Sequence, residues 1–159
     1  MVIASVLNTV LITWTGQERR AGIDTELDRG IEEMVRDLRK AKQVQSTANY
    51  DEIRFRQGTS SYSIYYLYNA SDSYVPPPAF NQSTYQLKKE TLSGGINGTF
   101  TYGSGQTMVN DVLPPPTSDL SFSSNLVTID LSAKRGDETI RSRTQVRPRN
   151  CGLTGLPAC

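Results

Sequence analysis

MVIASVLNTVLITWTGQERR, residues 1–20, carries no charged residue before Glu18. A helix needs ~20 apolar residues to cross the hydrocarbon core of a bilayer, and this run falls short by roughly six, so it does not span a membrane alone. A secretory signal would need a basic leader and a small-residue cleavage site. The next stretch TWTGQERRAGIDTELD, residues 13–28, offers neither and passes straight into a helical pattern. Ile23, Leu27, Ile31, Met34, Val35, Leu38 and Ala41 recur at three- and four-residue steps, which puts them on one stripe of a helix.

The spacing predicts one rod from about Val2 to about Gln45, ~65 Å long at 1.5 Å per residue. Its front, residues 1–22, is apolar all round; its back, residues 23–47, is amphipathic. Gly16, Gly22 and Gly30 each cost ~1 kcal/mol relative to Ala, so the rod is expected to bend or unwind easily. Glu32 to Arg36 is a favourable pair at four-residue spacing, but Asp24 to Asp28 and Glu33 to Asp37 are like-charged at the same spacing. Packing, rather than propensity, must hold this helix.

The 159 residues support one domain, and a hydrophobic content of 36% gives a modest core. Seventeen Lys and Arg against sixteen Asp and Glu leave a net charge of +1, so no global field draws nucleic acid or an anionic membrane. With no histidine, the Ser-His-Asp and Cys-His nucleophile systems and every His-containing metal motif are absent. Neither enzymatic turnover nor a cofactor is expected. Cys151 and Cys159 lie in RNCGLTGLPAC, residues 149–159. Their spacing in a Gly/Pro-containing tail reads as a disulfide closing a small loop, worth ~2.5 kcal/mol on the chain-entropy account. Free thiols are the alternative. A zinc site lacks further ligands and the C-x-x-C redox spacing is not met. A disulfide implies an oxidising compartment.

After the helix the periodicity falls to two. DEIRFRQ (51–57), SSYSIYYLYN (60–69), YQLKKETL (85–92), DLSFSSN (119–125), NLVTIDLSA (125–133) and DETIRSRTQVRP (137–148) all read as strands of an antiparallel meander. Ile53, Phe55, Ile64, Tyr66, Leu87, Leu120, Phe122, Leu126, Ile129 and Leu131 are expected to cover the helix. Two loops, ASDSYVPPPAFNQS (70–83) and NDVLPPPTSD (110–119), carry three consecutive prolines each and read as stiff connections or binding loops.

Arg135-Gly136-Asp137 matches an integrin-binding tripeptide, but Gly-Asp between alternating runs is ordinary hairpin chemistry, and the turn is the reading preferred. In the last strand Ile140, Ser142, Thr144 and Val146 point one way and Arg141, Arg143, Gln145 and Arg147 the other, with Arg149 beyond. Arg141, Arg143, Arg147 and Arg149 form a ladder that could grip phosphates or an acidic polymer, or could simply keep strand edges from aggregating. Asp111 with Asp119, or Asp51 with Glu52, could be carboxylate pairs, though no spacing matches a calcium loop. Tyr62, Tyr65, Tyr66 and Tyr68 could stack sugars or bases, or pack the core and cover the helix, the reading preferred.

The apolar front, the amphipathic back half ELDRGIEEMVRDLRKAKQVQSTANYDEIRFR (26–56), then SYSIYYLY (61–68) and a terminal TQVRPRN (144–150) together resemble the type IV pilin superfamily. The resemblance is nearest to the J-type minor pseudopilins of type II secretion and the W-type minor pilins. It implies an α+β fold: a long N-terminal helix, apolar in front and amphipathic behind, packed on an antiparallel sheet. Residues 1–22 would be the membrane and filament-core segment. Residues 23–159 would be the globular domain, with the helix over 23–47, the β-rich part over 51–149 and the disulfide-closed tail over 150–159. The superfamily's Gly-Phe-Thr-Leu-Ile-Glu processing motif is absent and Ser5 stands at position 5. MVIASVL resembles the segment C-terminal to that motif and is expected to be the distal part of an anchoring helix.

The function implied is a structural subunit of a pilus or secretion pseudopilus. It would assemble through Val2, Ile3, Val6, Leu7, Val10, Leu11, Ile12 and Trp14 against copies of itself or related pilins. Its place would be the inner membrane first, and then a periplasmic pseudopilus or an extracellular pilus. No specific small molecule is implied. The alternative is a membrane-anchored extracytoplasmic domain that binds carbohydrate or an acidic polymer.

Overall fold

The computed structural model describes residues 2–47, 51–74 and 79–149, with side chains described from residue 20 onward. Helix α1 (Val2–Lys40) leads into eight strands: β1 (Gln43–Ser46), β2 (Ile53–Gln57), β3 (Ser61–Tyr68), β4 (Tyr85–Thr91), β5 (Gln106–Val112), β6 (Asp119–Ser123), β7 (Leu126–Arg135) and β8 (Glu138–Val146). All pairings are antiparallel. The order is β1-β2-β3-β4-β5-β7-β6, and β8 lies on the other edge of β7.

The expected α+β class is therefore corrected. Over the residues with described side chains, 46% are strand and 17% helix. A curled half-barrel sheet holds residues 20–40 of the helix, in place of a long helix with a sheet packed on it. The physical reason is the number of strands the second half of the chain supplies. Eight antiparallel strands accumulate enough right-handed twist to curl, and a curled sheet takes a helix into its hollow.

Of the expected meander, the pairings β2–β3, β3–β4, β6–β7 and β7–β8 are present, whereas β1 lies where helix was expected and β5, which overlaps the expected proline loop, comes between β4 and the last three strands. β5 meets β7 at one rung, Val112 with Ala133, while β6 pairs with β7 from Asp119–Asp130 to Ser123–Leu126. The curl brings β6 round to β1. The Ser46 hydroxyl accepts from the Phe122 amide at 3.2 Å and donates to the Phe122 carbonyl at 3.4 Å. The Asp51 carboxylate accepts from the Leu120 amide at 3.3 Å beside it.

The helical stripe is seated as the spacing predicts: Ile23, Leu27, Ile31, Met34, Leu38 and Ala41 are all buried. At 25 cal/mol per Å² such side chains contribute ~1.5–3 kcal/mol each against exposure. The helix ends at Lys40, seven residues before the expected boundary at 47. Val44 lies three residues after Ala41 and looks like the next helical position. It reaches the core as a strand residue, opposite Phe55 in the β1–β2 ladder, with Gln43 and Gln45 pairing Arg56 and Arg54.

The face of β3 is also corrected. Tyr65 and Leu67, rather than Ile64 and Tyr66, join the helix-side core with Phe55, Leu87, Val109, Val127, Ile129 and Leu131. Ile64 and Tyr66 point to the opposite face and form a second cluster with Leu92, flanked by Tyr62, Tyr68, Phe100 and Tyr102. At the start of β7 it is Val127, rather than the expected Leu126, that is buried; Leu126 is half-buried. The Arg135-Gly136-Asp137 segment is the β7–β8 hairpin, as expected from its composition, with Gly136 at φ 66° in the position where a two-residue turn calls for glycine.

Candidate functional site

Helix α1 is held at three points along its length by polar ties. Glu26 accepts from the Asn110 backbone amide at 2.7 Å and side-chain amide at 2.8 Å, and from Arg135 at 3.1 Å. Arg135 also reaches Asp111 at 2.9 Å, so the arginine of the hairpin tripeptide, though partly exposed, is paired within the domain. Further along, the Tyr65 hydroxyl and the Lys89 ammonium both donate to Asp37 Oδ2, at 2.8 and 2.6 Å, and Lys89 reaches Glu33 at 3.3 Å. Burial works against the Asp37 charge, but the bonds from Lys89 and Tyr65 outweigh it and hold the carboxyl below its ordinary range. At the end of the helix, the Arg149 amide donates to the Arg39 carbonyl at 3.2 Å.

On the opposite face of the sheet the half-buried Arg54 and the buried Lys88 gather the loop between β4 and β5. Arg54 donates to the carbonyls of Ile96 and Gly98, at 3.3 and 3.0 Å, and is neutralised by the wholly buried Glu52 at 2.7 Å. Tyr74 donates to the other Glu52 oxygen at 2.6 Å. Lys88 Nζ donates to the carbonyls of Gly103 and Gly105, at 3.0 and 3.1 Å, and sits 4.9 Å over the Tyr68 ring. This accounts for the tyrosines. Tyr65 faces the helix, while Tyr66 and Tyr68 pack beneath the loop ring against ring with Phe100 and Tyr102, and Tyr62 flanks the same cluster.

The arginine ladder alternates as the sequence predicts, with Arg141, Arg143, Arg147 and Arg149 exposed. Its charge is partly taken up within the sheet. Arg141 grips Asp130 with two bonds of 2.8 and 2.7 Å, and Arg143 lies 3.6 Å from the same carboxylate. Of the carboxylate pairs, Asp51 and Glu52 do not act together: Glu52 serves Arg54, whereas Asp51 faces β6. Burial, with the charge of Asp119 adding to it, pushes the Asp51 carboxyl up to about 6 against the amide bond from Leu120. Asp111 belongs to Arg135 and is not paired with Asp119. Among the described residues no group of His, Cys, Asp or Glu could hold a metal ion.

Two grooves flank the helix. One, of about 600 Å³, runs along Gly22, Thr25, Glu26 and Arg29 against Gln106 and Met108 of β5. The other, of about 580 Å³, has Ile31 and Val35 at its floor and Glu32, Arg36, Arg39 and Arg149 at its rim. Between them the ridge Asp24, Asp28, Glu32 and Arg36 faces solvent. The side chains of Val2, Ile3, Val6, Leu7, Val10, Leu11, Ile12 and Trp14, and the pair Cys151 and Cys159, lie outside the described residues. Among the described residues no helix is long and apolar enough to cross a membrane. Family models, curated proteins and solved structures give no match to this chain.

The ties were not visible in the sequence. Glu26, Asp37, Lys89 and Arg135 are ordinary members of a charged helix face or a strand, and the partners of Arg135 alone lie 24 and 109 residues away. The weak signal present was Glu33 and Asp37, like charges at four-residue spacing that call for a common cation.

Proposed function

We propose that the chain is a structural subunit of a type IV pilus-like filament or a type II secretion pseudopilus, assembling through residues 1–22. One boundary carries this reading. Ile23 is 2% exposed and begins the stripe seated in the half-barrel, while Arg20, Ala21 and Gly22 just before it are exposed. Among the described residues the sheet's claim on the helix thus starts at Ile23. On this reading the apolar residues from Val2 to Trp14 take other partners, lipid first and like helices afterwards. Burying them at ~1.5–3 kcal/mol each offers on the order of 10–20 kcal/mol per subunit before entropic losses, enough to hold a polymer without covalent links.

The polar ties support the same reading, because they fix the helix within the domain at Glu26 and Asp37 and so give the segment before Ile23 a firm base. The test is Val6→Asp or Leu11→Arg in the full chain. Both should abolish incorporation into filaments while the thermal melt of the β-domain stays where it was. Normal incorporation of either variant would overturn the proposal.

A further inference from the structure

Charge is sorted along the solvent face of α1. Reading the four-residue ridge from its exposed start, the sequence is Arg20, Asp24, Asp28, Glu32, Arg36, Lys40. Three carboxylates in succession at four-residue spacing repel one another. Among the described residues no cation lies within 4 Å of Asp24, Asp28 or Glu32, not even Arg36, one helical turn beyond Glu32. Just past them lies the opposite charge. Arg36, Arg39 and Arg149 rim the groove between α1 and β8, which Glu32 enters from the ridge side. The chain is nearly neutral overall, at +1, and the acidic ridge, with the exposed Arg29 beside it, lies next to the basic end of the helix.

We infer that this face binds a second copy of the chain, the acidic ridge Asp24–Asp28–Glu32 of one copy seated against the arginine rim Arg39 and Arg149 of the next. The centres of the two charged segments, near Asp28 and Arg36, are eight residues apart, or ~12 Å along the helix. Two parallel copies displaced by that step bring acid opposite base, whereas copies side by side in register bring like charges together. Each copy then presents its ridge to one neighbour and its rim to the other. That is a heterologous contact, and it propagates as an open chain rather than closing into a dimer. The inference rests on the filament reading for its biological setting but uses residues outside the 1–22 segment.

The experiment is charge exchange in the full-length chain, with self-association followed by cross-linking and by incorporation into filaments at low and at high salt. Asp24→Lys with Asp28→Lys and Glu32→Lys makes the ridge basic; Arg39→Glu with Arg149→Glu makes the rim acidic. Each variant alone should lose association at least tenfold, because both of its contacts then oppose like charges or lose their pairing. Mixed together the two variants should recover it, since the wild-type rim of the first meets the wild-type ridge of the second and the exchanged pair meets in reverse. High salt should weaken the wild-type contact. All these side chains are exposed, and an unchanged thermal melt for each variant shows that the fold is retained. Wild-type association by both variants, or failure of the mixture to recover, overturns the inference. If the charge variants associate normally while Leu11→Arg does not, the filament reading stands and this one falls. The opposite pattern keeps this contact and removes the role of residues 1–22.

Discussion

Gly30 of α1 and Val109 of β5 touch so closely that a methyl group added to Gly30 would overlap Val109 Cγ2. The contact lets the helix lie against an edge of β5 that has a strand partner only at Val112. Gly30→Ala should therefore destabilise the fold by about 1–2 kcal/mol, overpacking exceeding the gain in helix propensity. Gly22 is the control: it is exposed, nothing lies within 4 Å of its would-be Cβ, and Gly22→Ala should stabilise by up to ~1 kcal/mol. Urea midpoints of the two variants should move in opposite directions.

The tie at Asp37 makes a second prediction. Asp37→Ala leaves Lys89 with only Glu33 and the Tyr65 hydroxyl without its acceptor, and should cost about 2–3 kcal/mol. Tyr65→Phe removes one hydrogen bond and should cost ~1 kcal/mol. Because the Asp37 carboxyl titrates below its ordinary range in the folded protein, its contribution is full above pH ~4 and is lost as the pH falls further. Asp37→Asn should flatten the acid limb of stability plotted against pH.

Asp51 has the reverse sign. Its carboxyl is pushed from 3.8 up to about 6, so the folded state holds a proton that the unfolded state releases earlier. Stability falls as the pH rises from about 4 to 6 and stays lower above that. Asp51→Asn should raise stability at pH 7 by ~1 kcal/mol after allowing for solvent screening. The amide oxygen can still accept from Leu120, and asparagine tolerates the φ of 47° found there. Denaturant midpoints between pH 4 and 7 check both the sign and the loss of slope.

Glu52 is the buried counter-charge of Arg54, and Glu52→Gln should destabilise by about 3 kcal/mol because the guanidinium keeps its burial and loses its partner. The same change loosens the grip on Ile96 and Gly98, so hydrogen exchange should accelerate at the Gly98 amide before it does in β2.

What could be read from the chain was periodicity, and what could not was phase and partnership. The stripe from Ile23 to Ala41 was legible because polar residues separate its members at helical steps. β3 was legible as a strand but not as to which side faces the helix, since Ile64, Tyr65, Tyr66 and Leu67 give both faces the same character. β5 was missed because register shifts in its pairing with β4 put buried Val109 and Val112 three residues apart, which breaks the two-residue beat. Asp111, at φ 57°, lies within that irregular stretch. Gly30 was read as a weak point of the helix and is instead the place of closest approach. The arginines of β8 were seen, but Asp130, which quiets two of them, sits eleven residues from Arg141 across a hairpin and carries no local mark.

The single rung between Val112 and Ala133 leaves the sheet as two leaves that meet along that line and, on the far side, through side chains at Ser46 and Asp51. Mechanically this is a hinged clasp closed on a pin, with the helix as the pin. A pull along the pin loads the ties at Glu26, Asp37 and Arg39 together, in shear, whereas a force that spreads the leaves would peel the far-side contacts one at a time. The domain is thus strong along the helix axis and weak across it.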